Sequence, residues 1–190
     1  MNRAIFLDRD GVINRKAREG EYITRWEEME ILPGVPEAIR TLNQAGFEVV
    51  IATNQRSVAK GLISIPELEI LHARLCNVLA GAGARIDAVY YCPHEKVPAC
   101  RCRKPSPGML LDAARDRDLE LRSSWMIGDS VADVEAGQAA GCKTVLVGMP
   151  VAVVGLATLG AASLLDATHQ ILNREQVGEQ DANAKYRVGI

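Results

Sequence analysis

Short apolar runs alternate with helix-spaced segments along most of this chain, and several runs break off directly onto carboxylates, amides or thiols. Residues 4–7 are uniformly apolar and stop at Asp8, as a buried parallel strand does. Val35, Ala38, Ile39 and Leu42 then repeat at helical spacing, and Gly46 ends the pattern. Residues 47–52 form the next apolar run. Ser64 and Glu67 make a capping box, with Pro66 in the first turn, for a helix expected to bury Leu68, Leu71, Leu75 and Val78.

Further strands are expected over residues 86–91, 125–127 and 144–147, with helices over 109–115 and 133–140 and Gly141 closing the latter. Strand–helix alternation of this kind predicts a Rossmann-like three-layer α/β/α sandwich with a mainly parallel sheet. In such sheets a ligand sits beyond the carboxyl ends of the strands. The unusual polar residues fall at those ends: Asp8 and Asp10, Thr53 and Asn54, Cys92 and His94, and Asp129.

With 190 residues the chain fits one domain, expected over residues 1–172, with a polar, flexible tail over 173–190 and a last helix near 164–172. Segments between the motifs are too short for a large cap domain. The 22 basic and 24 acidic residues leave a net charge of −2, too little positive field for a nucleic-acid partner. No apolar stretch reaches the roughly 18 residues of a membrane span, because the run over 145–165 is broken by Pro150, glycines and Ser163. The N-terminus lacks a secretory pattern, so the chain is expected to be cytoplasmic, and a monomer. Five cysteines in a reducing compartment argue against disulfides.

Asp8-Arg9-Asp10-Gly11 follows the first strand. Residues i and i+2 of an extended segment face one side, so both carboxylates can address one pocket, and Gly11 permits a sharp turn. Paired carboxylates need a cation or a proton between them, although Asp-x-Asp alone also describes a solvated turn. Gly128-Asp129-Ser130, with Asp133 one turn on, reads equally as a metal loop or as a helix cap. Thr53-Asn54 offers donors for phosphoryl oxygens but is common in turns, and Arg103-Lys104 is either a cationic pair for a ligand or a solvated one.

Cys92, His94, Cys100 and Cys102 crowd three thiols and one imidazole into eleven residues. That donor set suits a closed tetrahedral zinc site, which is structural because no ligand position stays open. Since Cys102 precedes Arg103 and Lys104, the metal would fix how both cations enter the pocket.

Together, Asp8-Arg9-Asp10-Gly11, Thr53-Asn54-Gln55, Lys104 and Gly128-Asp129-Ser130 with Asp133 resemble the four motifs of the haloacid-dehalogenase superfamily of phosphatases. The cysteine loop, residues 90–94 and residues 105–110 are similar to its zinc-bearing subgroup, which holds the heptose 1,7-bisphosphate 7-phosphatases and the histidinol-phosphate phosphatases. The heptose group is the nearer resemblance. Two segments depart from it: Arg56-Ser57 after Gln55, and a longer, more basic stretch over residues 15–22.

The resemblance implies a Mg²⁺-dependent phosphomonoesterase acting on a small sugar phosphate. It implies Asp8 as nucleophile, forming an aspartyl phosphate, and Asp10 as general acid and base with a pKa raised toward neutrality. Asp8, the backbone carbonyl of Asp10, and Asp129 would hold Mg²⁺, with Asp133 supporting that loop. Thr53, Asn54 and Lys104 would bind phosphoryl oxygens, while Gln55, Arg56 and Arg103 would meet the substrate. Residues 15–22, 56–60 and the zinc loop would wall the pocket. The rival readings are a histidinol-phosphate phosphatase, a polynucleotide 3′-phosphatase and a non-catalytic zinc-bearing module.

Overall fold

The computed structural model describes residues 2–148 and 155–186. Six strands form one parallel sheet: β1 (Ala4–Leu7), β2 (Glu48–Asn54), β3 (Ala88–Cys92), β4 (Trp125–Gly128), β5 (Lys143–Val147) and β6 (Leu159–Ala161). Their spatial order is β3-β2-β1-β4-β5-β6. β1 therefore lies between β2 and β4, with Leu7 opposite both Ile51 and Ile127. The chain order reverses at β1, and the crevice at such a reversal is where open α/β sheets bind ligands.

Alternation along the strands divides the core. Ile5, Leu7, Val49, Ile51, Trp125 and Ile127 face one side, where they pack with α1 (Val35–Gln44), α3 (Ile65–Gly81) and α6 (Leu164–Tyr186). Ala4, Phe6, Val50, Ala52 and Met126 face the other, against Met109, Leu110 and Ala113 of α4 (Gly108–Arg117). On that second face α5 (Val131–Ala140) brings Gly137 close to Met126 and Thr144. The three-layer α/β/α sandwich is thus the observed architecture. The remaining short helix, α2 (Arg56–Ala59), follows β2 directly.

The capping box of Ser64 and Glu67 is present, with Glu67 Oε2 accepting from the Ser64 amide at 2.8 Å. Its helix departs from expectation at one position. Val78 is 44% exposed, and Leu79 takes the buried place. Three turns of 3.6 residues carry Leu68 to position 79, not 78.

The C-terminal part also differs. β6 pairs with β5, Leu159 beside Val145, but three residues are too few to show alternation in sequence. Helix α6 runs through Tyr186, well past residue 172. Glu175 pairs there with Arg3 at 3.1 Å and Lys143 at 3.0 Å, beyond the helix's apolar stretch. Residues 149–154, within the apolar run, lie outside the described residues. Among the described residues no helix is long and apolar enough to cross a membrane.

Candidate active site and zinc centre

The sheet delivers the motif residues to one cleft. Asp8 leaves the end of β1, Thr53 and Asn54 end β2, and Asp129 follows β4. Oxygens of Asp8, Asp129 and Asp133 lie within 4.8 Å of one another. Lys104 enters from the side, 97% buried, with Nζ 2.9 Å from Asp8, 2.5 Å from Asp133 and 2.7 Å from the carbonyl of Ala52. Burying an ammonium is tolerable only with such partners.

Two glycines make the convergence possible. Gly11 has φ +92°, and a Cβ there would stand 2.3 Å from Asp129 Oδ2. At Gly128 a Cβ would stand 2.1 Å from that of Asp133. Side chains at either position would therefore push an aspartate out of the cluster.

Asp133 caps its own helix, accepting from the Ser130 amide at 3.0 Å and the Ser130 hydroxyl at 2.6 Å. With its other oxygen on Lys104, it ties the loop after β4 to that lysine. Asp129 Oδ2 accepts from Lys16 Nζ at 2.7 Å, while the buried Oδ1 has no hydrogen-bond partner among the described residues. Burial pushes the Asp8 carboxyl up to about 6, against the pull of Lys104 and with the push of Asp133 and Asp10. An oxygen-only donor set, an unpartnered buried oxygen and a carboxylate penalised for its charge fit a hard divalent cation such as Mg²⁺.

Asp10 behaves otherwise. It accepts from Arg9 at 2.9 and 3.0 Å, from Asn14 at 2.9 Å and from Gln55 at 3.0 Å. Burial raises its pKa, but Arg9 and these donors outweigh it and hold the carboxyl below its usual value. The raised pKa expected for Asp10 is thus corrected: the elevated group is Asp8. Arg9 is itself 1% exposed and donates to His72 Nε2 at 3.1 Å. Burial first, and Arg9 second, depress His72 to about 3, so it is neutral and accepts that bond.

Asn54 also departs from expectation. Its amide donates to the carbonyl of Lys104 and its oxygen accepts from the Lys104 amide, both at 3.1 Å. One amide N–H and the oxygen are thus used on the lysine backbone, so Asn54 holds Lys104 while it also lines the cavity. Thr53 accepts from Gln55 Nε2 at 2.9 Å.

Arg56 is the clearest correction. It pairs with Glu95 and sits beside Tyr22 of the cavity wall, and is not itself among the residues that line the main cavity. Residues 57–60 are likewise absent from that lining. The cavity, about 930 Å³, is instead walled by residues 16–23, by Gln55, Arg103 and Lys104, and by Lys96, Ala99 and Cys100 of the cysteine loop.

Beside the cleft, the ligand atoms of Cys92, His94, Cys100 and Cys102 lie within 4.8 Å of one another. Cys100 Sγ is 3.5 Å from both Cys92 and Cys102, and His94 Nδ1 is 3.2 Å from Cys102 and 3.6 Å from Cys92. Zinc–sulfur bonds near 2.3 Å give tetrahedral edges of about 3.8 Å, close to this spacing. Burial, then the neighbouring thiols Cys92 and Cys100, drive Cys102 up to about 12. Three crowded thiols cannot all ionise without a cation, so the donors fit zinc. Arg103, donating to the carbonyl of His94 at 3.2 Å, ties this loop to the cleft.

Sequence reasoning missed three participants: Lys16 on Asp129, Asn14 on Asp10, and His72 behind Arg9. Lys16 falls in the basic stretch over residues 15–22 expected to wall the pocket, and Arg9, on which His72 rests, stands between two aspartates.

A family model described as HAD-hydrolase-like matches residues 101–151. A Pseudomonas aeruginosa protein named D-glycero-beta-D-manno-heptose-1,7-bisphosphate 7-phosphatase is 42% identical, over 77% of this chain and 82% of its own length. A Mycobacterium tuberculosis protein bearing the alpha form of that name is 40% identical, over 76% of this chain and 78% of its own. The crystal structure of D,D-heptose 1,7-bisphosphate phosphatase from Bordetella bronchiseptica, complexed with magnesium and phosphate, superposes with a TM-score of 0.83. It is 37% identical and covers 90% of this chain and 99% of its own. Cleft, fold and relatives agree: this chain is a phosphoric monoester hydrolase of the haloacid-dehalogenase superfamily and belongs to the family of the heptose-1,7-bisphosphate 7-phosphatases.

Proposed function

We propose that the protein removes the C7 phosphate of D-glycero-D-manno-heptose 1,7-bisphosphate, with Mg²⁺ as catalytic cofactor and zinc as a structural one. The observation that carries this reading is the meeting of Asp8, Asp129 and Asp133, with Lys104 on Asp8 and Asp133, at a cavity of about 930 Å³. The relatives' names supply the sugar.

Asp8 attacks phosphorus in line, a bond forming from its carboxylate oxygen as the bond to the C7 oxygen breaks. Asp8, Asp129 and the backbone carbonyl of Asp10 would hold Mg²⁺, which would supply charge neutralisation for the phosphoryl oxygens. Lys104 and Thr53 stabilise the same oxygens where charge spreads. Asp10 gives a proton to the departing alkoxide, and an incoming phosphate dianion favours that protonated form. In the second step Asp10 takes a proton from water, which attacks the aspartyl phosphate and frees Asp8. The donors Arg9, Asn14 and Gln55 suit this second role, because they favour the carboxylate. Gln55 and Arg103 face the sugar end.

The reading takes the enzyme to act as a monomer in the cytoplasm. Its test is phosphate release from the heptose bisphosphate, with histidinol phosphate as competitor substrate, in the presence and absence of Mg²⁺. Mg²⁺-dependent turnover that leaves the C1 phosphate in place is expected. Faster turnover of histidinol phosphate, or loss of the C1 phosphate, would overturn it.

A further inference from the structure

Lys16 stands where neither the motifs nor the mechanism require a cation. Its ammonium lies 2.7 Å from Asp129 Oδ2, although its side chain is 59% exposed. Lys104 contacts Asp8 and Asp133, so among the described residues Asp129 has Lys16 as its one positive partner. The backbone on one side of Lys16 is fixed: Arg15 forks onto Glu30 at 2.6 and 2.8 Å, and its amide bonds the Glu30 carbonyl at 2.8 Å. Beyond Lys16 the chain over residues 17–23 lines the cavity and borders a second one of about 620 Å³. Lys16 is therefore the tie between that wall and the acidic cluster.

Resting on the Mg²⁺ site proposed above, we infer that Lys16 couples the 16–22 loop to metal binding, because its ammonium and the divalent cation compete for Asp129. Two positive charges sharing one carboxylate weaken each other, and the penalty is reciprocal. Whatever factor Lys16 takes from Mg²⁺ affinity, Mg²⁺ takes from the loop's attachment. The loop that walls the cavity is then held when the metal is away and loosened when it arrives, freeing a cation beside an anionic substrate. Exposure of the lysine limits the effect to that of a surface pair, about two- to fivefold in affinity at low ionic strength.

The test measures Mg²⁺ binding by titration calorimetry in wild type, Lys16→Met and Lys16→Arg. Lys16→Met keeps the apolar stem and should bind Mg²⁺ about two- to fivefold more tightly, while Lys16→Arg stays near wild type. Amide hydrogen exchange over residues 16–22 should quicken when Mg²⁺ is added to wild type, and should already be fast in Lys16→Met. Unchanged or weaker Mg²⁺ binding in Lys16→Met would overturn the competition, and exchange indifferent to Mg²⁺ would overturn the coupling. Wild type that binds no Mg²⁺ would instead remove the metal site on which both stand.

Discussion

Two clusters of side chains able to hold a metal ion lie side by side in this protein and are built in opposite ways. Cys92, His94, Cys100 and Cys102 come from eleven consecutive residues, after a single strand. Asp8, Asp129 and Asp133 come from two strands over a hundred residues apart, and Lys104 joins them from a third segment. The first cluster assembles within a loop and needs the rest of the fold only as an anchor. The second exists only when β1 and β4 are paired. A local site can serve as a staple, whereas a dispersed one reports that the whole sheet is formed.

The sharpest break in this comparison is at Asp8. Asp8→Asn should lower turnover about a thousandfold or more, with melting temperature and circular dichroism close to wild type. A rate within tenfold of wild type would refute Asp8 as nucleophile. Lys104→Met comes next, because it leaves two buried carboxylates without their cation. Unfolding in urea should show a loss of about 3–5 kcal/mol, partly restored by Mg²⁺.

Removing zinc with a chelator, then restoring Mg²⁺, should reduce activity by about 10–100-fold through looser placement of Arg103 and Lys104. Hydrogen exchange should quicken over residues 92–104 while the sheet stays protected. Removing Mg²⁺ alone should stop turnover and leave that loop untouched. Full activity in a metal-analysed, zinc-free sample would separate the two clusters altogether.

Asn54→Ala removes both hydrogen bonds to the Lys104 backbone, and stability should fall by about 1–2 kcal/mol with a parallel drop in kcat. If KM alone rises, Asn54 contacts substrate directly. Smallest of all, Arg56→Ala should shift stability by less than about 0.5 kcal/mol and leave KM unchanged, since Arg56 pairs with Glu95 outside the main cavity.

The sequence by itself determined the class of fold, the order of the strands along the chain, the capping box at Ser64 and the Cys₃His set. Each of these depends on neighbours within about a dozen residues, and periodicity or spacing reveals such relations. The motif residues at strand ends were legible too, because parallel sheets place their carboxyl ends together. Tertiary structure decided how those residues are shared. It set Arg9, Asn14 and Gln55 on Asp10, gave the raised pKa to Asp8, and turned Asn54 toward Lys104 and Arg56 toward Glu95. Hydrogen-bond partners and burial depend on which segments meet across the sheet, and no local pattern encodes that. The pairing of β6 and the reach of α6 past residue 172 follow the same rule, since their contacts with β5, Arg3 and Lys143 are distant in the chain.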